Sequence, residues 1–214
     1  DTTSISLVDC SIFTANSTNS TNITCSGYSN GTANIVSVIN GSDNYNYSWS
    51  NGDTTTSINN LSPGIYSCNI TDINWTCTDS ASFTINEPDN LFSTYSTSEY
   101  NNYNISCFGF NDGEVNIQTN GGTPPYNQYF DGILTATSPI TNLTSGTYTD
   151  SIIDANGCTY TNTITLTEPP ILSTTIMSFD LTSCANQNGS ISLAVNGGVS
   201  SYTYNWSNGA TNED

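Results

Sequence analysis

Lysine, arginine and histidine are absent from these 214 residues, while Asp and Glu number 18, for a formal charge of −18. Without cations the chain cannot neutralise phosphates, which excludes nucleic-acid binding. An anionic membrane surface would repel it. Catalysis through histidine, lysine or arginine is excluded, including Ser-His-Asp triads, Schiff bases and arginine fingers. Salt bridges between side chains, cation–π contacts and lysine isopeptide cross-links are excluded by the same absence. Long apolar runs are missing too, the longest being short stretches such as Ile152-Ile153, so no membrane insertion is expected. The chain starts at Asp1 with no basic segment ahead of an apolar stretch, and it reads as a processed product or a fragment.

What is present is polar: 31 Asn, 34 Thr and 31 Ser make up 45% of the positions. Polarity of this kind accompanies disorder only when aromatic and β-branched residues are scarce. Here aromatics reach 11%, led by 13 Tyr, and Ile, Val and Thr are plentiful, a composition suited to half-buried strands.

Internal repetition is the strongest signal. Cys25-Ser-Gly-Tyr-Ser-Asn-Gly31, Cys107-Phe-Gly-Phe-Asn-Asp-Gly113 and Cys184-Ala-Asn-Gln-Asn-Gly189 start three copies. Each runs on to Asn-Gly at 40, 120 and 196, then to an aromatic alternation: Tyr45, Tyr47, Trp49; Tyr126, Gln128, Phe130; Tyr202, Tyr204, Trp206. Leu61-Ser-Pro-Gly-Ile-Tyr66 and Asp72…Cys77 match Leu143-Thr-Ser-Gly-Thr-Tyr148 and Asp154…Cys158. Glu87-Pro88 and Glu168-Pro169-Pro170 close the first two copies, and the third stops before its Leu-x-x-Gly-x-Tyr segment. The repeat predicts modules at residues 1–88 and 89–170 and the first half of another at 171–214.

Ten of the 16 glycines follow Asn or Asp, the chemistry of tight hairpin turns. Between them lie short alternating runs such as Ile191, Leu193 and Val195, and no apolar 3.6-residue period is sustained. The expected fold class is all-β, a tandem of immunoglobulin-like β-sandwich modules stapled by disulfides. Glu-Pro restricts the backbone and predicts a short, stiff linker.

The pattern C-x-G-x-x-N/D-G…N-G-G-x-P-P-Y…W-S-N-G…L-x-x-G-x-Y…D-x-N-G-C…E-P-P resembles the SprB-type repeat of large secreted surface proteins of Bacteroidota, gliding-motility adhesins among them. The second copy fits best, through Gly121-Gly122-Thr-Pro-Pro-Tyr126 and Asp154-Ala-Asn-Gly-Cys158. The first departs from it, with Gly-Ser-Asp-Asn after Asn40 and Asn74-Trp75-Thr76 ahead of its Cys. The resemblance implies small immunoglobulin-like or PKD-like modules, a surface location, a long tandem architecture and no catalytic residues.

Seven cysteines without histidine favour disulfides and an oxidising compartment. Cys25 and Cys77 hold the same repeat positions as Cys107 and Cys158, which predicts bridges Cys25–Cys77 and Cys107–Cys158. Cys10 and Cys68 occur only in the first copy and are expected to pair with each other. Cys184 is left without a partner inside the 214 residues.

Tyr66, two residues before Cys68, echoes the tyrosine corner of sandwich domains, and Tyr148 repeats it. The Tyr-x-Tyr-x-Trp stripe reads as a buried strand face, with a sugar-stacking platform as the alternative. Asp112 with Glu114, or Asp72 with Asp79, are nominal acid–base pairs for glycoside hydrolysis, but nothing singles them out. The expectation is no enzyme, no cofactor and no specific metal site. Abundant oxygen ligands leave room for loosely bound calcium, although no Asp-x-Asp-x-Asp loop exists.

Asn-x-Ser/Thr sequons fall at Asn16, Asn19, Asn22, Asn30, Asn40, Asn46, Asn60, Asn69, Asn74, Asn104, Asn142, Asn188 and Asn205. About nine would arise from composition alone, so the Asn16–Asn22 cluster is the informative one. It precedes Cys25 in a segment too polar to bury. The O-linked pattern Asp-Ser/Thr-apolar adds Ser80 and Ser151.

These readings converge on a structural array of an extracellular surface fibre or adhesin, glycosylated, with other copies, further repeats of the same chain and glycans as partners. Its work would be to extend, resist proteolysis and display sugars. The rival is a carbohydrate-binding or spacer module of a secreted hydrolase. Residues 172–214 are expected to be completed by another segment or a neighbouring chain.

Overall fold

A computed structural model describes residues 9–135, 138–180 and 189–213. The chain divides into two compact units. The first runs to Phe92 and takes in Asn120–Tyr126 and Ile153–Tyr160; the second holds Ser93–Thr119, Asn127–Ile152 and everything from Thr161 onward. The described residues are almost all strand and turn, and their one helical segment is a 3-10 turn at Cys10–Ile12. No helix among them is long and apolar enough to cross a membrane.

In the first module β1 (Thr14–Thr21), β2 (Gly31–Ile39) and β4 (Ser57–Leu61) form one sheet in the order β1-β2-β4. β3 (Tyr45–Trp49), β5 (Gly64–Asp72) and β6 (Thr78–Ile85) form the other in the order β3-β5-β6. This is the immunoglobulin arrangement of A-B-E against C-F-G, without a D strand. Alternation turns Ala33 and Ile35 of β2, Ile70 of β5 and Phe83 and Ile85 of β6 inward, and in β4 a register shift, with Asn60 at φ +57°, brings Ile58 and Leu61 into the same core. β1 is polar apart from Ala15, and as an edge strand it is held chiefly by its antiparallel backbone ladder to β2.

The second module repeats the plan. β7 (Phe92–Thr97), β8 (Gly113–Asn120) and β11 (Ile140–Leu143) pair in the order β11-β8-β7. β9 (Asn127–Phe130), β10 (Ile133–Thr135), β12 (Gly146–Ile153) and β13 (Thr159–Leu166) pair as β10-β9-β12-β13, so a short hairpin strand extends the C side. Its core gathers Ile105, Val115, Ile117, Phe130, Ile164 and Leu166.

The third copy contributes β14 (Ser173–Phe179) and β15 (Ser190–Asn196), paired antiparallel in full register. Ile176, Phe179 and Ile191 stay half or more exposed. Cys184 and Asn188 lie outside the described residues.

Candidate functional site

The cysteines depart from the repeat-based pairing. Cys10 bonds Cys77 with Cα atoms 5.2 Å apart, and Cys25 bonds Cys158 with Cα atoms 5.6 Å apart. Cys68 and Cys107 are free thiols, the first buried and the second exposed. The expected bridges Cys25–Cys77, Cys107–Cys158 and Cys10–Cys68 are therefore replaced.

The reason is which end of the sandwich each loop occupies. Cys25 precedes the first residue of β2, whereas the β5–β6 turn that carries Cys77 sits beside the loop that follows β2. Nine residues of extended strand, about 30 Å, separate those ends, far beyond the reach of a disulfide. Thr14 pairs with Ile39, so β1 starts where β2 finishes, and Cys10 just ahead of β1 lands next to Cys77. Cys68 lies mid-strand opposite Trp49 with no exposure, facing the core, where Cys10 cannot follow.

The turn between β5 and β6 is organised by Asp72. Its carboxylate accepts hydrogen bonds from the Ser42 amide (2.6 Å) and hydroxyl (2.7 Å) and from the Asn74 and Trp75 amides (both 2.9 Å). Asp154 does the same in the second module, accepting from the Thr123 amide at 2.9 Å, Asn156 at 2.9 Å and Cys158 at 2.8 Å. Burial pushes the Asp72 carboxyl up, but the donors from Ser42, Trp75 and Asn74 outweigh it and hold the group below its ordinary 3.8. Because the folded value is depressed, the stabilisation is complete above about pH 3.8 and is lost as the pH falls below that through the folded value. Thermal unfolding followed from about pH 5 to about pH 2 should show the melting temperature dropping in that window, and Asp72→Asn should flatten part of the drop.

Within the first unit these parts meet at a junction between the start of one module's β1–β2 loop and the β12–β13 turn of the next. The Cys25–Cys158 bond spans it. The Gly27 amide donates to the Glu87 carboxylate at 2.7 Å, and the Gly122 amide donates to the Asp89 carbonyl at 2.9 Å. Asn156 Nδ2 donates to the Thr24 carbonyl at 2.9 Å, and the Tyr126 hydroxyl donates to the Gly121 carbonyl at 2.7 Å. Gly121 has φ +67°, and a Cβ there would stand 1.9 Å from the Asn90 carbonyl oxygen. Gly121→Ala should consequently force the linker away at a cost of about 1–3 kcal/mol, read as faster chymotryptic cleavage beside Leu91 and Phe92.

The tyrosine corners are present in both complete modules. The Tyr66 hydroxyl donates to the Ser62 carbonyl at 3.1 Å, and the Tyr148 hydroxyl to the Thr144 carbonyl at 3.0 Å. The aromatic stripe belongs to the core: Trp49 is buried, its indole N–H donates to the Thr55 carbonyl at 2.7 Å, and its ring lies 5.4 Å from Phe83. Tyr45 and Tyr47 pack against the same core with ring planes 77° apart, which is not a coplanar sugar platform.

Three of the four nominal acid–base carboxylates, Asp72, Asp79 and Asp112, are engaged as hydrogen-bond acceptors. Asp79 accepts from the Ala15 amide at 2.8 Å and the Thr14 hydroxyl at 3.1 Å, fastening β1 to β6; the Ala15 bond leads in lowering its carboxyl. Asp112 accepts from the Ser106 amide at 3.1 Å, and hydrogen bonding from Ser106 lowers its carboxyl too. Glu114 follows two residues later on β8, where its amide donates to the Ser98 hydroxyl. No three of Cys, Asp and Glu among the described residues gather as a metal-ligand set.

Eleven of the sequon asparagines are exposed, and Ser80 is exposed while Ser151 is half-buried. Asn16 and Asn19 lie on edge strand β1, and Asn22 follows it directly. Asn104 differs: its Nδ2 donates to Thr97 Oγ1 and the Ser98 carbonyl, and its Oδ1 accepts from the Thr167 amide. Sequence periodicity does not report the junction hydrogen bonds or the Asp72 and Asp154 clamps, although an Asp shortly before the turn cysteine (Asp72…Cys77, Asp154…Cys158) and the recurring Glu-Pro mark their places.

Three segments of the chain match the SprB repeat family: residues 17–54, 101–127 and 182–211. Each begins in the lead-up to the repeat's first cysteine and ends in or near the C-strand region. No curated protein matches the chain. Among solved structures, the three N-terminal domains of the bacteriophage RB49 outer capsid protein Hoc are 13% identical over 88% of this chain and 71% of that one, with a TM-score of 0.41. The amphioxus IgVJ-C2 molecule is 18% identical over 58% of this chain and 89% of that one, at 0.28, and murine CEACAM1b is 13% identical over 64% and 92%, at 0.30.

Proposed function

We propose that this array of SprB repeats is a structural segment of an extracellular surface fibre or adhesin, with glycans carried on its exposed asparagines and other repeats as its neighbours. The observation that carries this reading is the junction, where the Cys25–Cys158 disulfide and the hydrogen bond from Asn156 to the Thr24 carbonyl fasten one module to a turn of the next, and Gly121 and Gly122 lie close against the linker. The buried Trp49 and the hydrogen-bonded carboxylates of Asp72 and Asp79 fit a scaffold better than a sugar-stacking or hydrolytic surface. A chain without Lys or Arg also offers no tryptic site, and its charge keeps neighbours apart in solution.

Antibodies raised against the folded chain should label intact, unpermeabilised source cells. Glycopeptide mapping of the material shaved from those cells should find sugars on exposed sequons, the Asn16–Asn22 segment included, and none on the hydrogen-bonded Asn104. Recovery of the chain only in the medium, attached to a hydrolase and retained on polysaccharide, would overturn the fibre in favour of a carbohydrate-binding module.

A further inference from the structure

The second unit contains the same junction, lacking one component. The Gly109 amide donates to the Glu168 carboxylate at 2.7 Å, as Gly27 does to Glu87. The Gly198 amide donates to the Pro170 carbonyl at 2.7 Å, as Gly122 does to Asp89. The Tyr202 hydroxyl donates to the Gly197 carbonyl, as Tyr126 does to Gly121. A Cβ on Gly197 would stand 2.0 Å from the Ile171 carbonyl, matching Gly121 against Asn90. Two positions differ. Leu91 is 6% exposed while its counterpart Leu172 is 57% exposed, and Cys25 is 7% exposed and bonded while its counterpart Cys107 is exposed and free. In the first unit Cys158 and Thr159 line the same cavity as Leu91 and Cys25. Among its described residues, what the second unit lacks is that turn.

We propose that the β1–β2 loop cysteine of each module bonds the cysteine in the last hairpin turn of the following module, so that Cys107 is the attachment point for the turn that completes the third copy. The occupant is a segment of the Asp-x-Asn-Gly-Cys type, its cysteine bonded to Cys107 and its backbone laid over Leu172. Neither such turn in these residues is free to serve, because Cys77 is held by Cys10 and Cys158 by Cys25. Cys10 then occupies, on Cys77, the place that a preceding module's loop cysteine would take. Formation of the bond removes two protons and two electrons from two thiols, and a disulfide oxidant such as glutathione disulfide takes them up, leaving two molecules of reduced glutathione.

The inference rests on the repeat geometry and not on the surface-fibre reading, and its test leaves that reading untouched. The third copy follows the first as far as its end: the Trp206 amide donates to the Ala210 carbonyl and its indole to Asn212, as Trp49 does to Asp53 and Thr55. A copy of residues 58–88 appended after Asp214, with its Cys68 replaced by alanine, continues that alignment and supplies the missing turn. After refolding in glutathione disulfide, peptide mapping without reduction should find Cys107 joined to the appended copy of Cys77, and Leu172 should gain protection from hydrogen exchange. A bond from the appended cysteine to Cys184, or a Cys107–Cys107 dimer, would overturn the proposal. Should the extended chain fail to fold, Cys25→Ser in the 214-residue chain decides the matter. Cys158 and Cys107 should then both react with maleimide, whereas a Cys107–Cys158 bond would restore within-module pairing and refute the scheme.

Discussion

Replacing Cys10 and Cys77 together by serine is expected to lower the unfolding free energy of the first module by about 4 kcal/mol. The bond joins residues 67 apart, and closing a loop of that length removes roughly this much conformational entropy from the unfolded chain. For a module of this size the loss corresponds to a fall of about 15–30 °C in its melting temperature. Calorimetry should show one transition moving down while that of the second module, which does not depend on this bond, stays in place. The repeat-based pairing gives a different result for Cys77→Ser, which would then free Cys25 and keep Cys10 bonded to Cys68, whereas here it frees Cys10 and leaves Cys25 bonded to Cys158, a difference that thiol labelling reads directly.

Trp49→Ala should be of similar size, about 3–5 kcal/mol, since it empties a large buried site and leaves a carbonyl without its donor. The indole packs on Phe83, sits across from Cys68 in the β3–β5 ladder and donates to Thr55. All of these contacts lie inside the first module's core. Hydrogen exchange should therefore rise in β2, β5 and β6 and remain unchanged in β8, β12 and β13, where Phe130 does the equivalent packing. An unchanged β5 would mean that the tryptophan is not a core residue, and the stripe would again be open to a binding role.

Much of this architecture could be read from local chemistry. Asn-Gly and Asp-Gly turns, inward Ile and Val at alternate positions, and Tyr66 ahead of a mid-strand residue are each decided within a few residues of chain, and the sandwich follows from them. The disulfides were not legible in the same way. Repeat position says that Cys25 matches Cys107 and that Cys77 matches Cys158, but not at which end of the sandwich each loop emerges. That depends on the β3-to-β4 crossover, which passes between sheets without a strand of its own. The clamp at Asp72 was hidden for a related reason. Its principal donor, Ser42, is 30 residues away in sequence, and no periodicity reports a contact of that kind. β1 was also obscured, because Thr-Ala-Asn-Ser-Thr-Asn-Ser-Thr has no apolar alternation and becomes a strand through its backbone pairing with β2. Its exposed asparagines fit an edge that bulky sugars would shield from another chain.

The bond between Cys25 and Cys158 also reroutes tension. A pull applied before Cys25 and after Cys158 passes through two sulfur atoms instead of the polypeptide between them, and of the strands of both sandwiches only β1 and β13 lie outside that bypass. The separation of 133 residues corresponds to about 450 Å of fully extended chain withheld from stretching. In a single-molecule pulling record this length should be missing under oxidising conditions and should appear after a reductant is added. The slack of the molecule is thus released by electrons before it can be released by force.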